Sequence, residues 1–476
     1  MNRLLPSPAP GRRPHRLPRV ALLATALSLL VATTATAATP TSPATAPVAG
    51  QAARAGTAGW QTAPPAAVGM DAATLDGACD YALQPEHHTQ GVVVIRGGKL
   101  VDECYAPGEG PRSWAASWSV AKSYASTLIG IAIDQGKIPG LDVSMADYFP
   151  DWAGTPKAAM TLRDVVTMSS GLQWNEDYSP TDALDSDVIK MGLAADQLAY
   201  AAARPLAHTP GTVWNYSSGD AMLLSGVIAK ATGMSAGDYA QQVLFGPLGM
   251  KQVEWWTDAA GHTLTYCCND TTSRDFARLG LLFANHGVWD GRQIVSAKWV
   301  ADAFEPVPDS DGVYGYMWWI THLPDVDGPV YMANGFDGQF IFIVPSLDLV
   351  VVRNGDYVKS RCAPVGDPNL FTRYPPSNLI PGQGTRPPEN WSNADFMAPI
   401  VASVTGASPG SDVFPAAEPA PGERFPDGQA TAACATSGPT TTSSTTPPGS
   451  STNVPAGTSG SAGPATPVSA QPRFTG

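Results

Sequence analysis

A lysine opens a long apolar stretch of this chain, and such a position needs a partner. The segment Ser119-Val-Ala-Lys122 leads into a run that holds no further charge until Asp134. The run is typical of a buried helix, where an ammonium group is costly unless it is paired or neutralised. Residues three apart on a helix share a face. We therefore expect Ser119 and Lys122 to be neighbours at the edge of a core.

This pair has the chemistry of an activated nucleophile. A serine hydroxyl is a weak nucleophile until a base takes its proton. A desolvated lysine loses its charge more readily and can be that base. The alternative is a helix-capping serine followed by a solvated lysine. The apolar residues after Lys122 favour the activated serine.

A second segment, Trp214-Asn-Tyr216-Ser-Ser218, lies roughly a hundred residues further on, after a Pro-Gly turn and before an apolar helix. A phenol at a helix start can enter the same cleft as a serine and relay a proton to a leaving group. The alternative is an aromatic residue at a loop–helix corner, followed by capping serines.

A third segment, Val330 to Gln339, precedes the apolar run Phe340–Val344. Its glycines predict a turn between two antiparallel strands. An edge strand beside a nucleophile can lend a backbone N–H to a developing oxyanion. The alternative is an ordinary hairpin.

In this order the three segments resemble the motifs of the serine β-lactamase and penicillin-binding-protein superfamily. They are most similar to its class C-like branch of esterases, D-peptidases and 6-aminohexanoate-dimer (nylon-oligomer) hydrolases. The resemblance covers roughly residues 60–405. It implies an α/β (α+β) fold, with an antiparallel sheet flanked by helices and an all-helical insert at about 150–270. It also implies Ser119 as nucleophile, Lys122 and Tyr216 as the base, and Ser218 as a supporting hydrogen-bonding residue.

Two departures from the superfamily disfavour β-lactam hydrolysis. The third motif of β-lactamases and penicillin-binding proteins is usually Lys-Thr-Gly or His-Thr-Gly, whereas this chain has Val330-Tyr-Met332. It therefore lacks the cation that would meet a β-lactam carboxylate. In addition, Tyr216-Ser-Ser218 replaces the Tyr-x-Asn of the lactamases.

The spacing of glycines from Ala333 to Gln339 is closer to the nylon-oligomer hydrolases and esterases. By that resemblance, the backbone N–H groups of Ser119 and Ala333 form the oxyanion hole. The same group carries an aromatic residue and acids on the rim of its site, although an acidic surface loop is the alternative here. The candidates for substrate contact are Tyr178, Asp187 and Trp214.

The two ends of the chain differ in composition from the middle. Arginines precede an apolar run at residues 20–31 and a small-residue cleavage site at Ala35-Thr-Ala37, a pattern typical of a secretory signal peptide. We therefore predict a signal peptide at 1–37, a disordered linker at 38–58, a hydrolase domain at 59–405 and a disordered Pro/Ser/Thr-rich tail at 406–476. The protein is expected to be secreted, with the tail as a candidate cell-wall spacer.

The six cysteines fit an oxidising compartment. We predict bridges between Cys79 and Cys104 and between Cys268 and Cys362, and we do not expect Cys267 to pair with its neighbour. The net charge of −13 disfavours nucleic acid as a partner. No metal or cofactor is expected, because the sequence carries no metal-ligand, phosphate-loop or dinucleotide fingerprint.

The sequence thus predicts a secreted serine hydrolase that cleaves a small ester, an amide or a short peptide through a Ser119 acyl-enzyme. One alternative is a D-Ala-D-Ala-type peptidase or β-lactamase of cell-wall metabolism. Another is a non-catalytic binding domain on the same fold. A Ser-His-Asp hydrolase is disfavoured, because the G-x-S-x-G matches at Gly233 and Gly406 do not lie at a strand–helix elbow. Substrate identity and oligomeric state stay open.

Overall fold

The computed structural model describes residues 59–177, 185–251, 253–355, 390–407 and 414–415. The chain divides into a unit Met1–Arg54 and a unit Ala55–Gly476, and every described residue belongs to the second. The predicted signal peptide, the linker up to residue 58 and nearly all of the predicted tail lie outside the described residues. Among the helices of the described ranges, none has the length and apolar character needed to cross a membrane.

The strands form one large sheet and two small ones. They are β1 (Thr89–Arg96), β2 (Lys99–Tyr105), β3 (Trp114–Ala115), β4 (Glu254–Trp255), β5 (Asn269–Thr272), β6 (Val288–Trp289), β7 (Arg292–Gln293), β8 (Trp319–Thr321), β9 (Val330–Gly335), β10 (Gln339–Val344) and β11 (Leu349–Gly355). The large sheet is antiparallel, in the order β2-β1-β11-β10-β9-β8. The small sheets are β3-β5-β4 and β6-β7.

The helices pack on the large sheet, and most of them lie between β2 and β8 in the sequence. They are α1 (Ala72–Ala82), α2 (Val120–Asp134), α3 (Leu162–Val166), α4 (Asp187–Leu193), α5 (Gln197–Ala203), α6 (Ser218–Thr232), α7 (Ala236–Ala240), α8 (Gly246–Leu248), α9 (Ser273–Ala284), α10 (Ala297–Ala303) and α11 (Asn393–Ala402). A π-helical turn, Gln241–Phe245, joins α7 to α8. Short 3-10 helices lie at Pro65–Val68, Pro85–His87, Met145–Asp147, Pro150–Trp152, Pro156–Ala159, Phe336–Gly338 and Pro345–Leu347.

The central strands are buried on both faces, because helices cover the sheet on both sides. Ile341 of β10 lies on the face covered by α9. It packs so closely on Gly280 of α9 that a Cβ on this glycine would lie 2.8 Å from Ile341 Cγ2. Phe342, the next residue, packs against Phe396 of α11 on the other face. This two-sided burial explains the nearly continuous apolar runs of β10 and β11.

The predicted fold class is confirmed: an antiparallel sheet is flanked by helices, and α3 to α8 form an insert between α2 and α9. Helix α1 begins after its N-cap Asp71, whose side chain accepts a hydrogen bond from the Thr74 amide. Strands β1 and β2 form an antiparallel hairpin before α2. The insert ends in β4 and β5, which pair with β3, so its last part is not helical.

The structure confirms one predicted disulfide and corrects the other. Cys79 of α1 is bonded to Cys104 of β2. Cys268 is bonded to the adjacent Cys267, so the predicted bridge to Cys362 is wrong. The physical reason lies in the backbone, because a left-handed φ of 69° at Cys268 folds the two neighbouring residues into one tight turn. Cys362 lies outside the described residues.

Candidate active site

The candidate nucleophile lies at the first turn of α2. Ser119 occupies the N-cap position, but its side chain makes no capping hydrogen bond. Trp118 before it has a φ of 43°, a left-handed conformation that a bulky residue rarely adopts and that commonly marks functional sites. Lys122 follows one turn later and is only 1% exposed. The alternative of a capping serine and a solvated lysine is therefore wrong.

Three acceptors surround the Lys122 ammonium nitrogen. Its Nζ lies 2.9 Å from Ser119 Oγ, 3.0 Å from Ser218 Oγ and 3.0 Å from the backbone oxygen of Tyr266. Ser218 is the first residue of α6, and Tyr266 lies in the loop before β5. Three separate parts of the chain thus converge on one nitrogen.

Burial makes Lys122 a plausible base near neutral pH. Desolvation lowers the pKa of Lys122 to about 8, partly opposed by the negative charge of Glu176. A lysine in this range is neutral in a substantial fraction of molecules at mildly alkaline pH. The neutral amine has a lone pair that can accept the Ser119 proton.

Tyr216 completes the group of side chains around the nucleophile. Its hydroxyl is within hydrogen-bonding reach of the Ser119 side chain. Its ring stacks on Trp319, with centroids 5.3 Å apart, and lies 5.1 Å from Lys122 Nζ. Desolvation, with the charge of Glu176, raises the pKa of Tyr216 well above its usual value. The phenol therefore stays protonated and is suited to relay a proton rather than to act as the primary base.

Glu176 is a member of the site that the sequence analysis did not single out. One of its carboxylate oxygens accepts a hydrogen bond from Ser218 Oγ at 2.5 Å. The other accepts from the Ser218 amide at 2.9 Å and from the indole N–H of Trp174. In the sequence, Glu176 is one of several acids in a loop, and nothing in the local pattern distinguishes it from a solvated residue.

Strand β9 forms one wall of the site, beside the nucleophile loop. Strand β8 pairs with β9 only as far as Met332, so the next residues of that edge are free to approach the nucleophile loop. A Cβ on Gly335 would lie 2.3 Å from the Ser117 oxygen and 3.3 Å from the Ser119 amide nitrogen. Ala333 lies two residues earlier and pairs with Ile341 of β10. The Ala333 amide stays a prediction as an oxyanion donor, and Gly335 marks where β9 approaches Ser119.

A side-chain hydrogen bond ties the nucleophile loop to the end of β9. The Trp118 indole N–H donates to Asp337 Oδ2 at 3.1 Å. Asp337 has a φ of 59°, and the buried Arg353 guanidinium donates to the backbone oxygens of Asp337 and Gly338. The residue before Ser119 and the turn after β9 are therefore held in one fixed arrangement.

The three predicted rim residues are placed differently. Tyr178 lies outside the described residues. Asp187 is buried, and it accepts hydrogen bonds from the Asn175 amide and the Tyr200 hydroxyl and pairs with Arg204. Its carboxylate thus holds the rim together. Trp214 packs edge-to-face on Trp319, beside the ring of Tyr216.

One group of residues in the described ranges has metal-ligand spacing. The ligand atoms of Asp196, Asp258 and His262 lie within 4.8 Å of one another. Both oxygens of Asp258 already accept backbone N–H groups, from Gln197 and His262. These hydrogen bonds account for the burial of the Asp258 carboxylate, which fixes the backbone turn between Asp258 and His262.

A family model described as Beta-lactamase matches residues 82–360 of the chain. The chain is 27% identical over 290 residues to the 6-aminohexanoate-dimer hydrolase of Paenarthrobacter ureafaciens, which covers 56% of this chain and 72% of that protein. The family match spans the nucleophile, the tyrosine segment and the β9–β10 pair.

Solved structures share the fold. EstCE1, described as a hydrolase with promiscuous acyltransferase activity, has a TM-score of 0.52 at 15% identity over 70% of this chain and 98% of its own. A protein of Bacillus anthracis described as a candidate 6-aminohexanoate-dimer hydrolase has a TM-score of 0.51 at 22% identity over 57% of this chain and 74% of its own. At these identities the likeness is one of fold.

Proposed function

The chain belongs to the Beta-lactamase family, and from that premise we propose that it hydrolyses an ester or amide bond through an acyl-enzyme on Ser119. The observation that carries the proposal is the position of Lys122, a nearly inaccessible amine 2.9 Å from the Ser119 hydroxyl. A non-catalytic binding domain would not need a desolvated base beside a serine.

In the acylation step, neutral Lys122 takes the Ser119 proton while Oγ forms a bond to the substrate carbonyl carbon. The carbonyl oxygen becomes an oxyanion, which the Ser119 amide and an edge amide of β9 stabilise. The proton on Lys122 then passes through Tyr216 to the leaving oxygen or nitrogen as its bond to carbon breaks. Water attacks the acyl-serine by the reverse proton path, which releases the acid and restores Ser119.

Strand β9, which forms one wall of the site, supports a proposal for the substrate class. The strand residues from Val330 to Gly335 include no lysine, arginine or histidine. A carboxylate on the leaving-group side of the scissile bond, as in β-lactams and D-Ala-D-Ala peptides, would find no cation on this strand, which disfavours both substrate classes. Neutral esters suit this wall better. The linear 6-aminohexanoate dimer is the second candidate, because its carboxylate lies a whole aminoalkanoate chain away from the scissile nitrogen, and a relative that shares 27% of the aligned residues is a 6-aminohexanoate-dimer hydrolase.

The extracellular location is also a proposal, supported by the N-terminal sequence pattern alone. Export into an oxidising compartment agrees with the bridge between Cys79 and Cys104. Association of the tail with the cell wall remains a proposal of the same kind.

The function is tested with the purified mature chain and four substrates: p-nitrophenyl butyrate, the linear 6-aminohexanoate dimer, nitrocefin and a D-Ala-D-Ala peptide. We expect turnover of the ester and, more slowly, of the aminohexanoate dimer, because amides have poorer leaving groups. Rapid quenching followed by peptide mass mapping should find the butyryl group on Ser119.

Ser119→Ala is the control, and it should show neither the adduct nor turnover. Fast nitrocefin or D-Ala-D-Ala turnover, with no ester or dimer hydrolysis, would replace the proposal with the cell-wall alternative. A folded protein that forms no adduct with any of the four would support the binding-domain alternative.

The activity should depend on pH through the Lys122 amine. Because the base must be neutral, kcat/KM for the ester should be low in acid and rise with pH, with an apparent pKa of about 8. Below that pH the added proton occupies the lone pair that must accept from Ser119. Measuring kcat/KM from pH 5 to pH 10 in buffers of constant ionic strength checks this.

Asp220 is the rival source of such a pH dependence. Burial raises its pKa to about 7, and it accepts hydrogen bonds from Ser170 and Ser217. Asp220→Asn keeps an acceptor at this position and removes the titration. The rise near pH 8 should survive in this variant. Its disappearance would assign the titration to Asp220 instead of Lys122.

A further inference from the structure

We propose that Glu176 is a positioning residue that fixes the direction of the hydrogen bonds around Lys122, so that the neutral amine points its lone pair at Ser119. This inference rests on the proposed function and adds a residue to it. The carboxylate oxygens of Glu176 accept hydrogen bonds from Ser218, whose hydroxyl oxygen in turn contacts Lys122 Nζ. Glu176 acts through Ser218.

Ser218 donates its only hydroxyl proton to Glu176. A carboxylate only accepts hydrogen bonds, and Glu176 Oε1 lies 2.5 Å from Ser218 Oγ. The hydroxyl has a single hydrogen, so this contact uses it. The other carboxylate oxygen is fixed by the Ser218 amide and the Trp174 indole N–H. Glu176 is therefore held on both oxygens and cannot swing away easily.

Two of the oxygens around Lys122 can only accept hydrogen bonds from it. Because Ser218 donates to Glu176, its oxygen can only accept from Lys122 Nζ, 3.0 Å away. The backbone oxygen of Tyr266, also 3.0 Å away, can only accept as well. These two acceptors use two N–H bonds of the amine. When Lys122 is neutral, it has only those two, and the remaining tetrahedral position carries the lone pair.

The lone pair of neutral Lys122 points at Ser119 in this arrangement. The remaining contact of Nζ is Ser119 Oγ at 2.9 Å, so the lone pair meets the hydroxyl that must lose its proton. Without the carboxylate, the Ser218 hydroxyl would be free to rotate and donate to Lys122. The lone pair would then be occupied by Ser218 in a fraction of molecules, and the base would be lost in that fraction.

The carboxylate also has an electrostatic effect of opposite sign. Its charge favours protonated Lys122 and so raises the pKa that burial lowers. In the part of the chain that the structure describes, the other titratable groups facing Lys122 are the phenols of Tyr216 and Tyr266, with rings 5.1 and 5.8 Å from Nζ. Burial and nearby acids raise the pKa of both phenols, so neither carries charge in the working range. The negative charge of Glu176 thus opposes the effect of burial on the pKa of Lys122.

The test is Glu176→Gln, which keeps the size of the side chain but supplies an amide that can donate to Ser218 and reverse the hydrogen bond. We expect kcat for p-nitrophenyl butyrate to fall roughly 10- to 100-fold with little change in KM. We also expect the rise of kcat/KM to move to lower pH, because the charge that favours protonated Lys122 is gone. A residue with only a structural role would not move that rise.

Asp177→Asn is the matched control, since it removes one negative charge from the adjacent residue. It should leave kcat and the pH profile close to wild type. Ser218→Ala is the second test variant, and it covers the case in which Glu176→Gln does not fold. Its kcat should fall by a similar factor, whereas its pH profile should stay in place because Glu176 remains. The double variant should be no worse than the more damaged single variant.

Wild-type kcat and pH profile in folded Glu176→Gln would overturn the inference, and so would wild-type kcat in Ser218→Ala. Either result counts only against this role, provided that the wild-type enzyme forms its acyl adduct on Ser119. Absence of the adduct in wild type would instead remove the proposed function itself.

Discussion

Lys122→Met should lower kcat/KM for p-nitrophenyl butyrate by about 10³- to 10⁴-fold, near the upper end of what one general base contributes. Methionine has a similar length but no proton acceptor of comparable strength. Lys122 is only 1% exposed, so replacing it also removes the energetic cost of burying a charge. Two acceptors, Ser218 Oγ and the Tyr266 oxygen, lose their hydrogen-bond donor in this variant. Each loss should lower the free energy of unfolding by about 1–3 kcal/mol. Steady-state kinetics, together with the rate of acyl transfer to Ser119, measures the effect.

Lys157→Met is the matched control for Lys122→Met. Lys157 also lies against an aromatic ring, that of Trp152, and donates to the Ala202 backbone oxygen at 2.7 Å, but it contacts none of the candidate catalytic residues. Its replacement should leave kcat/KM within a few-fold of wild type. A Lys122→Met enzyme that acylates Ser119 at the wild-type rate while folded would show that another group is the base. Tyr216 would then be the next residue to examine.

The sequence predicted the parts of the site that depend on local geometry. Ser119 and Lys122 are three residues apart on one helix, so their contact follows from the period of the helix. The apolar residues after Lys122 indicated its burial, and the structure has it almost fully inaccessible. Tyr216 and Ser218 were found because they stand at a helix start after a turn, and α6 begins at Ser218.

The remaining parts of the site depend on contacts that no local pattern records. Glu176 meets Ser218 across 42 residues, and its side chain is one acid among several in its loop. The third partner of Lys122 is a backbone oxygen, and any residue type at position 266 would provide one. The pairing of Cys267 with Cys268 depends on a left-handed turn, whereas spacing alone favoured separate partners.

These two groups of residues have different tasks in the proposed mechanism. The locally predictable pair, Ser119 and Lys122, supplies the nucleophile and the base. The distant contacts decide whether the base is directed at the nucleophile, because Ser218 and the Tyr266 oxygen occupy its other hydrogen-bonding positions. The proposed chemistry therefore depends on a short motif, whereas the alignment of its groups depends on the packing of three segments around that motif.

Gly335→Ala should reduce kcat/KM by about 10²- to 10³-fold, comparable to the loss of one oxyanion donor. The new Cβ would lie 2.3 Å from the Ser117 oxygen, a distance at which something must shift. Ser117 cannot move away easily, because two hydrogen bonds fix it to Asn269. Its amide donates to the Asn269 oxygen at 3.1 Å, and its hydroxyl oxygen accepts from the Asn269 amide at 2.8 Å. The clash should therefore push the edge of β9 away from the Ser119 amide. Kinetics with the ester, and thermal unfolding of the same sample, separate loss of alignment from loss of fold.

Gly110→Ala is the matched control for Gly335→Ala. A Cβ at Gly110 has no neighbour within 4 Å among the described residues, and this glycine does not have a left-handed φ. Activity and thermal unfolding should stay close to wild type in that variant. Gly335 has a φ of −122°, so its replacement tests space alone and not backbone freedom. Full activity in Gly335→Ala would mean that β9 can retreat without effect on the oxyanion, and the second donor would then have to come from another part of the chain.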